Sequence, residues 1–358
     1  MKSTITVILV MLLIGANSAN AGFVFGSPTN LGPIVNSSHG DGEPSLSANG
    51  LSLYFVSDRP DGYGGEDLWA TTRASTDDDW GPPVNLGPMI NSSSHDAGPS
   101  ISADGRSLYF HSIRPGGQGL FDLWVTRRLL PGLPWGRPVN LGSVINSQAN
   151  ERSPSISADG LSLYFMSNRT DGSGAFDLWV ATRPTKTAPW QEPVNLGPAV
   201  NSESWELDPD IAADGLTLFF ASGRPGGHGG NNDLWMTTRA SLADPWAAPV
   251  NLGPAVNTTA GEDTPNLSAD GHTLLFRSDR PGGFGRRDLW QVSITPAVDL
   301  TGDGWVDFYD FAKLAQYWFE SNATVDMAPA PFGDGQVEFQ DLAVFAEYWL
   351  QEAISIAP

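Results

Sequence analysis

Thirteen residues from Asp299, DLTGDGWVDFYDF, set oxygen-bearing side chains at the spacing a calcium ion requires. With Asp299 as position 1, Thr301 stands at 3, Asp303 at 5, the Trp305 carbonyl at 7, Asp307 at 9 and Asp310 at 12. Gly304 at position 6 supplies the sharp turn that brings these oxygens round one ion. A second copy lies 31 residues on and offers Asp334, Glu338 and Asp341 at positions 5, 9 and 12. Its positions 1 and 3 fall on Ala330 and Phe332, which carry no side-chain oxygen. Either an insertion lets Asp326 reach round, or this loop has lost its metal.

Upstream, charged residues recur in columns. An acid stands three residues before a strand-opening proline five times: Asp41, Asp96, Glu151, Glu206 and Glu262. An arginine follows each second strand (Arg59, Arg114, Arg169, Arg224, Arg280), and an aspartate precedes each "LW" (Asp67, Asp122, Asp177, Asp233, Asp288). If the "PS" strand is innermost, the first column lines a channel mouth as a ring of carboxylates for a cation or a polyhydroxylated ligand. The structural alternative is that these acids pair with the arginines and tie the units together. Glycoside hydrolysis needs two carboxylates in unlike environments, and equivalent acids in equivalent repeats do not supply them. The departure from symmetry is SESWELDPD, where Trp205 adjoins Glu206 and Asp208 as in a sugar-stacking subsite; the alternative is an ordinary packed loop aromatic. The five histidines show no metal-ligand spacing, and most read as solvated loop residues. The RPGGxG loops join strands and open no helix, so they are turns, not phosphate cradles.

The positioning elements are repeats. Asn30, Asn85, Asn140, Asn195 and Asn251 open "NLG" at intervals of 55, 55, 55 and 56 residues. Each unit reads as four strands: "PSIS", then "LSLYFMS" after an "ADG" turn, then "DLWVATR", then "PVNLG". The Asn/Asp-Gly pairs from Asn49-Gly50 to Asp270-Gly271 predict two-residue hairpins with positive φ at both positions. Four short strands per unit predict an all-β, five-bladed β-propeller. The fifth unit stops after its third strand, and GFVFGSPTNLG at the start supplies its fourth, with Phe25 where later units carry Trp80, Trp135, Trp190 and Trp246. Pairing the two ends removes both exposed edges. The pattern ERSPSISADGLSLYFMSNR, recurring over Pro28 to Ile294, resembles the TolB-like (WD-type) propeller family. That resemblance implies fold and leaves function open.

The chain has 358 residues, a net charge of -21 and no cysteine, so disulfides and thiolate chemistry are excluded and nucleic acid is a poor partner. MKSTITVILVMLLIGANSANA reads as a signal peptide cut after Ala21, because its apolar run is too short to span a bilayer. The expected product is secreted, extracellular or periplasmic, with no membrane span. After Ile294, loop and apolar stretch alternate twice, with Phe308, Phe311, Leu314, Ala315 and Trp318 sharing one face of the first helix and Phe339, Leu342, Phe345, Ala346 and Trp349 one face of the second. Val298 to Gln351 resembles the type I dockerin family, a small α-helical, EF-hand-like calcium-binding domain. The resemblance implies Ca2+ and a cohesin-like protein partner. Its contact pairs differ from the family's hydroxyl pair, standing as Phe308-Tyr309 and Phe339-Gln340. The expected organisation is signal peptide 1–21, propeller 22–296 and dockerin-like domain 297–358. The expected function is non-catalytic recognition of a glycan or protein, tethered through the calcium module. Its ligand contacts would be Trp205, Glu206, Asp208, Asp41, Asp96, Glu151 and Glu262. The competing reading is a polysaccharide-degrading glycosidase with its site near Trp205 and Glu206.

Overall fold

The structure is a computed structural model that describes residues 23–296, 308–316, 337 and 341–342. The expected signal peptide lies outside the described residues.

Five antiparallel sheets form the five blades. The first comprises β3 (Asp41–Leu46), β4 (Ser52–Ser57), β5 (Asp67–Thr72) and β6 (Val84–Asn85). The second runs β7 (Asp96–Ile101) to β10 (Val139–Asn140), and the third β11 (Glu151–Ile156) to β14 (Val194–Asn195). The fourth runs β15 (Glu206–Ile211) to β18 (Val250–Asn251). The fifth joins β19 (Glu262–Leu267), β20 (Thr273–Ser278) and β21 (Asp288–Pro296) to the chain's start. The expected closing strand is split in two. Β2 (Thr29–Asn30) takes the fourth-strand register, Asn30 opposite Trp290, as Asn85 lies opposite Trp69. Β1 (Phe23–Phe25) pairs with the far end of β21, Phe25 opposite Ile294.

The second strand of each blade is buried on both faces, which is why it reads as a continuous apolar run. Leu53 and Phe55 pack towards blade five, with Leu275 and Leu289. Tyr54 and Val56 pack towards blade two, with Leu108 and Phe110. The core is therefore a set of wedges between neighbouring blades. Each fully buried Phe in those wedges contributes about 1.5–3 kcal/mol.

The hairpin expectation needs correction. Only the glycine of each pair has positive φ (Gly50 70°, Gly105 65°, Gly160 70°, Gly215 70°, Gly271 78°). Gly50 N donates to Ser47 O at 2.8 Å and Ser47 N to Ser52 O at 2.8 Å, giving a longer hairpin closed by a left-handed glycine. Asn49 instead accepts from Ser47 Oγ and Leu51 N, which removes its need for positive φ.

The described C-terminal residues include the helix α1 (Phe308–Gln316), and Asp341 and Leu342 are also helical. Leu314 is buried and Phe311 half-buried, as the helical periodicity predicts, but Ala315 is exposed. No helix of the described residues is long and apolar enough to cross a membrane.

Candidate functional site

The "PS" strands β3, β7, β11, β15 and β19 are innermost, yet the acid column does not face the channel. Asp41, Asp96, Glu151, Glu206 and Glu262 are all 0% exposed. Each pairs with the arginine 18 residues on in its own blade: Arg59–Asp41 2.6 Å, Arg169–Glu151 3.1 Å, Arg224–Glu206 2.9 Å, Arg280–Glu262 3.1 Å, and Arg114–Asp96. Glu206 also accepts from Ser202 N and Oγ at 2.8 and 2.6 Å and from Ser222 Oγ at 3.0 Å. Its oxygens are spent inside the blade. The other four acids likewise accept from the N–H and hydroxyl of the Ser or Thr four residues earlier and from their own arginine. The "LW" aspartates cap loops: Asp67 accepts from Tyr63 N at 2.5 Å, Gly64 N at 3.1 Å and Asn85 Nδ2 at 2.9 Å.

A bulge two residues after each acid explains the rotation. Strand register shifts there in every blade, and Glu43, Ser153, Asp208 and Thr264 take φ of 48° to 52°, with Gly98 at 62°. The bulge turns the acid inward to the blade and the following pair toward the axis. Glu43, Gly98, Ser153, Asp208 and Thr264 line the channel, with a proline ring beneath them and a cavity of about 30 Å³, room for one water.

Next along the axis is a belt of hydrogen bonds between blades. Ser45 Oγ accepts from Ile101 N at 3.0 Å, Ser100 Oγ from Ile156 N at 3.0 Å, and Ser155 Oγ from Ile211 N at 3.1 Å. Asp210 Oδ2 accepts from Leu267 N at 2.7 Å, and Asn266 Oδ1 closes the circle on Leu46 N at 2.8 Å. Burial pushes the Asp210 carboxyl up to about 7.

The channel mouth is where symmetry breaks. Burial pushes the Glu43 carboxyl up to about 8, opposed by the Arg277 guanidinium and reinforced by Glu66 and Asp208. Its Oε2 is buried with no hydrogen-bond partner. Asp208 accepts from Ser153 Oγ at 2.6 Å and is also raised, by burial and then by Asp263. Asp263 holds Arg277 through two bonds of 2.6 and 2.8 Å. Arg152 lies 3.7 Å from the Phe121 ring centre. His111 is 4% exposed, which corrects the reading of the histidines as solvated. Burial, then Arg152 and His95, push its imidazole down to about 3, and the neutral Nδ1 accepts from Ser153 N at 3.1 Å.

Trp205 is 40% exposed on the same end of the ring. Its Nε1 donates to Asn232 Oδ1 at 2.6 Å. The ring lies over Gly223, where an added Cβ would meet it at 2.7 Å. The other blades carry Asp58, Ile113, Asn168 or Asp279 at this position, so glycine is what lets the indole lie down. Of the ligand residues read from sequence, the structure brings Asp208 to the axis and Trp205 to the rim, and puts the five acids inside the blades. Glu43, Arg152, Asp263 and Arg277 escaped the sequence reading, although each is an outlier in its repeat column. Of the calcium ligands, Asp299, Thr301, Asp303, Trp305, Asp307, Asp334 and Glu338 lie outside the described residues. Asp310 falls in α1, and Asp341 is fully buried. Among the described residues no group of three or more His, Asp or Glu is placed to hold a metal ion.

No protein-family model and no curated protein matches this chain. Solved structures do. The catalytic domain of the GH62 α-L-arabinofuranosidase of Coprinopsis cinerea is 14% identical with a TM-score of 0.51, over 77% of this chain and 98% of that one. A thermostable family-43 glycoside hydrolase is 13% identical with a TM-score of 0.47, over 75% and 92%. TolB of Acinetobacter baumannii is 12% identical with a TM-score of 0.46, over 76% of this chain and 63% of its own length. At 14% identity the likeness to the GH62 domain is one of fold, the five-bladed propeller.

Proposed function

We propose that this chain is a non-catalytic recognition propeller for a glycan, held in place through a calcium-binding, dockerin-like C-terminal module with a cohesin-like partner. The observation that carries the reading is Trp205, an exposed indole fixed flat by Asn232 and Gly223 on the channel-mouth face. A fixed aromatic face with a polar edge is what a sugar ring stacks on. Against catalysis stand the five saturated acid–arginine pairs and an axial cavity of about 30 Å³, too small to admit a sugar ring to Asp208.

One observation favours the glycosidase reading instead. Glu43, raised to about 8, and Asp263, ion-paired to Arg277, are two carboxylates in unlike environments. Binding of the whole protein to a glycan array, with a hydrolysis assay on the same polysaccharides, separates the two. Trp205→Ala is expected to weaken glycan binding roughly tenfold or more. Sugar release that Glu43→Gln abolishes would sink the binding-only reading.

A further inference from the structure

Nine of the sixteen arginines serve the scaffold. Five pair with the acid column, and Arg73, Arg128, Arg183 and Arg239 stack on Trp80, Trp135, Trp190 and Trp246 at 4.1 to 4.4 Å. Of the rest, Arg277, Arg286 and Arg287 gather on blade five. At the position of Arg277 the other blades carry Val56, His111, Met166 and Ala221. At the positions of Arg286 and Arg287 they carry Gly65-Glu66, Leu120-Phe121, Ala175-Phe176 and Asn231-Asn232. The repeat holds the scaffold constant, so these three cations are additions that the fold does not require. They stand out further in a chain of net charge -21.

The facing wall on blade one is stripped to match. Gly40 and Gly42 occupy positions where blades two to four carry His95 and Ala97, Asn150 and Arg152, or Trp205 and Leu207. A Cβ at Gly42 would meet Arg277 Cδ at 2.3 Å, and a Cβ at Gly40 would come within 3.9 Å of Arg286 Nη2. The three arginines on one side, and Gly40 and Gly42 with Asp58 and Glu66 on the other, line a groove of about 370 Å³ at the seam where the ring closes. That volume lies in the range of small-ligand sites. The Arg277 guanidinium is oriented by Asp263, and Arg286 spends one nitrogen on Asp58 at 2.7 Å while remaining 78% exposed. The Arg287 side chain is exposed toward the same groove. Its acid neighbours are Asp58 and Glu66; Asp41 is consumed by Arg59.

We propose that this seam groove is the subsite for a carboxylate-bearing sugar, a uronate, taken by the Arg286–Arg287 pair beside Arg277. The assignment rests on the glycan reading above and names the glycan's class. Planar guanidinium forks match a carboxylate in two parallel charge-assisted bonds, which a neutral hydroxyl or a methyl ester does not offer. A sulfate ester can also accept from such forks, and the sulfated arm of the test separates the two. The groove opens on the face that presents Trp205, so a chain seated at the arginines stays on the surface that offers an aromatic platform.

Calorimetry of the whole protein tests this with galacturonate, mannuronate and glucuronate tetrasaccharides, their methyl esters, a sulfated tetrasaccharide and poly-glutamate. One uronate is expected to bind at least roughly tenfold more tightly than its ester. Arg286→Ala and Arg287→Ala, both at exposed positions, are each expected to weaken that uronate about five- to tenfold and leave its ester unchanged. The unchanged ester affinity excludes misfolding as the cause. Equal affinity for acid and ester, or arginine variants without effect, would overturn the groove while leaving the glycan reading intact. A sulfated tetrasaccharide bound as tightly, or poly-glutamate captured in place of sugar, would overturn the uronate class. Absence of binding to any saccharide would overturn both readings.

Discussion

Asp210 is the residue at which the axial belt becomes sensitive to pH. Three blades use serine to accept the neighbouring strand's N–H, and blade four uses a carboxylate, buried to 8% exposure with Asn266 Nδ2 at 3.0 Å and Ser155 Oγ at 3.5 Å as further donors. Burial outweighs these bonds, and the carboxyl is pushed up to about 7 from an ordinary 3.8. A raised folded-state value means the folded chain holds its proton where the unfolded chain has released it. The stability this confers is complete below about 3.8 and is lost as pH rises toward 7. The loss is at most about 4 kcal/mol if the whole difference is expressed. Asp210→Asn keeps an oxygen to accept from Leu267 N and cannot ionise. Its melting temperature is therefore expected to exceed that of the parent at pH 8 and to converge on it near pH 4. Parallel melting curves for the two proteins across that range would show that the belt does not hold Asp210 neutral.

At the scale of elements, the ring depends on how its two ends meet. Asn30 Nδ2 donates to Asp288 at 2.8 Å and Leu31 N to Leu289 O at 3.0 Å, repeating the fourth-strand bonds of the other blades. Β1 adds what no other blade has. Ile294 stands where the earlier units carry Arg73, Arg128, Arg183 and Arg239, and Phe25 packs there in place of the tryptophan that those arginines stack on. An apolar pair thus replaces a cation–π pair at the closure. Phe25→Asp is expected to cost about 2 kcal/mol, less than a fully buried Phe because Phe25 is half-buried. That is about 3–4 °C in melting temperature for a domain of this size. Val24→Asp, at a position 53% exposed, is the control and should change little. Equal effects from both would mean that β1 is not part of the closure. The repeat period, the strand order and the closing ends were all legible in the sequence, because each is written as a periodicity. The site was not, because it hangs on the five bulges. A one-residue slip reverses which face a side chain takes, so Glu206 entered the blade and Asp208 reached the axis, whereas plain alternation puts both on one face. Outliers within a repeat column (Glu43, Arg277, Arg287, Gly42) are the signal that would have found the mouth. They are visible once the column is read for what breaks it.

For the whole molecule, the proposed function assigns recognition to the propeller and attachment to the C-terminal module. Each acid of the propeller's first column is neutralised by its own arginine, and among the described residues no group of three or more His, Asp or Glu is placed to hold a metal ion. The calcium pattern read from the sequence lies after residue 296, and its twelfth position, Asp310, falls within α1. The first loop has its full set of oxygens and the second lacks side-chain donors at Ala330 and Phe332, so the whole protein is expected to bind one calcium per chain. At a free concentration about a hundredfold above Kd, that ion stabilises the module it folds by about 2.7 kcal/mol. Calorimetric titration of the calcium-stripped chain checks the number, and Asp303→Ala with Asp310→Ala should remove the ion. Differential scanning should then show two responses. A small transition moves with EDTA, while the propeller's main transition stays put, because its core wedges and acid–arginine pairs contain no metal ligand. A second equivalent of calcium would mean that Asp326 does reach round to complete the second loop. No uptake at all, or an EDTA shift of the main transition, would overturn the separation of a metal-free ring from a calcium-built tether.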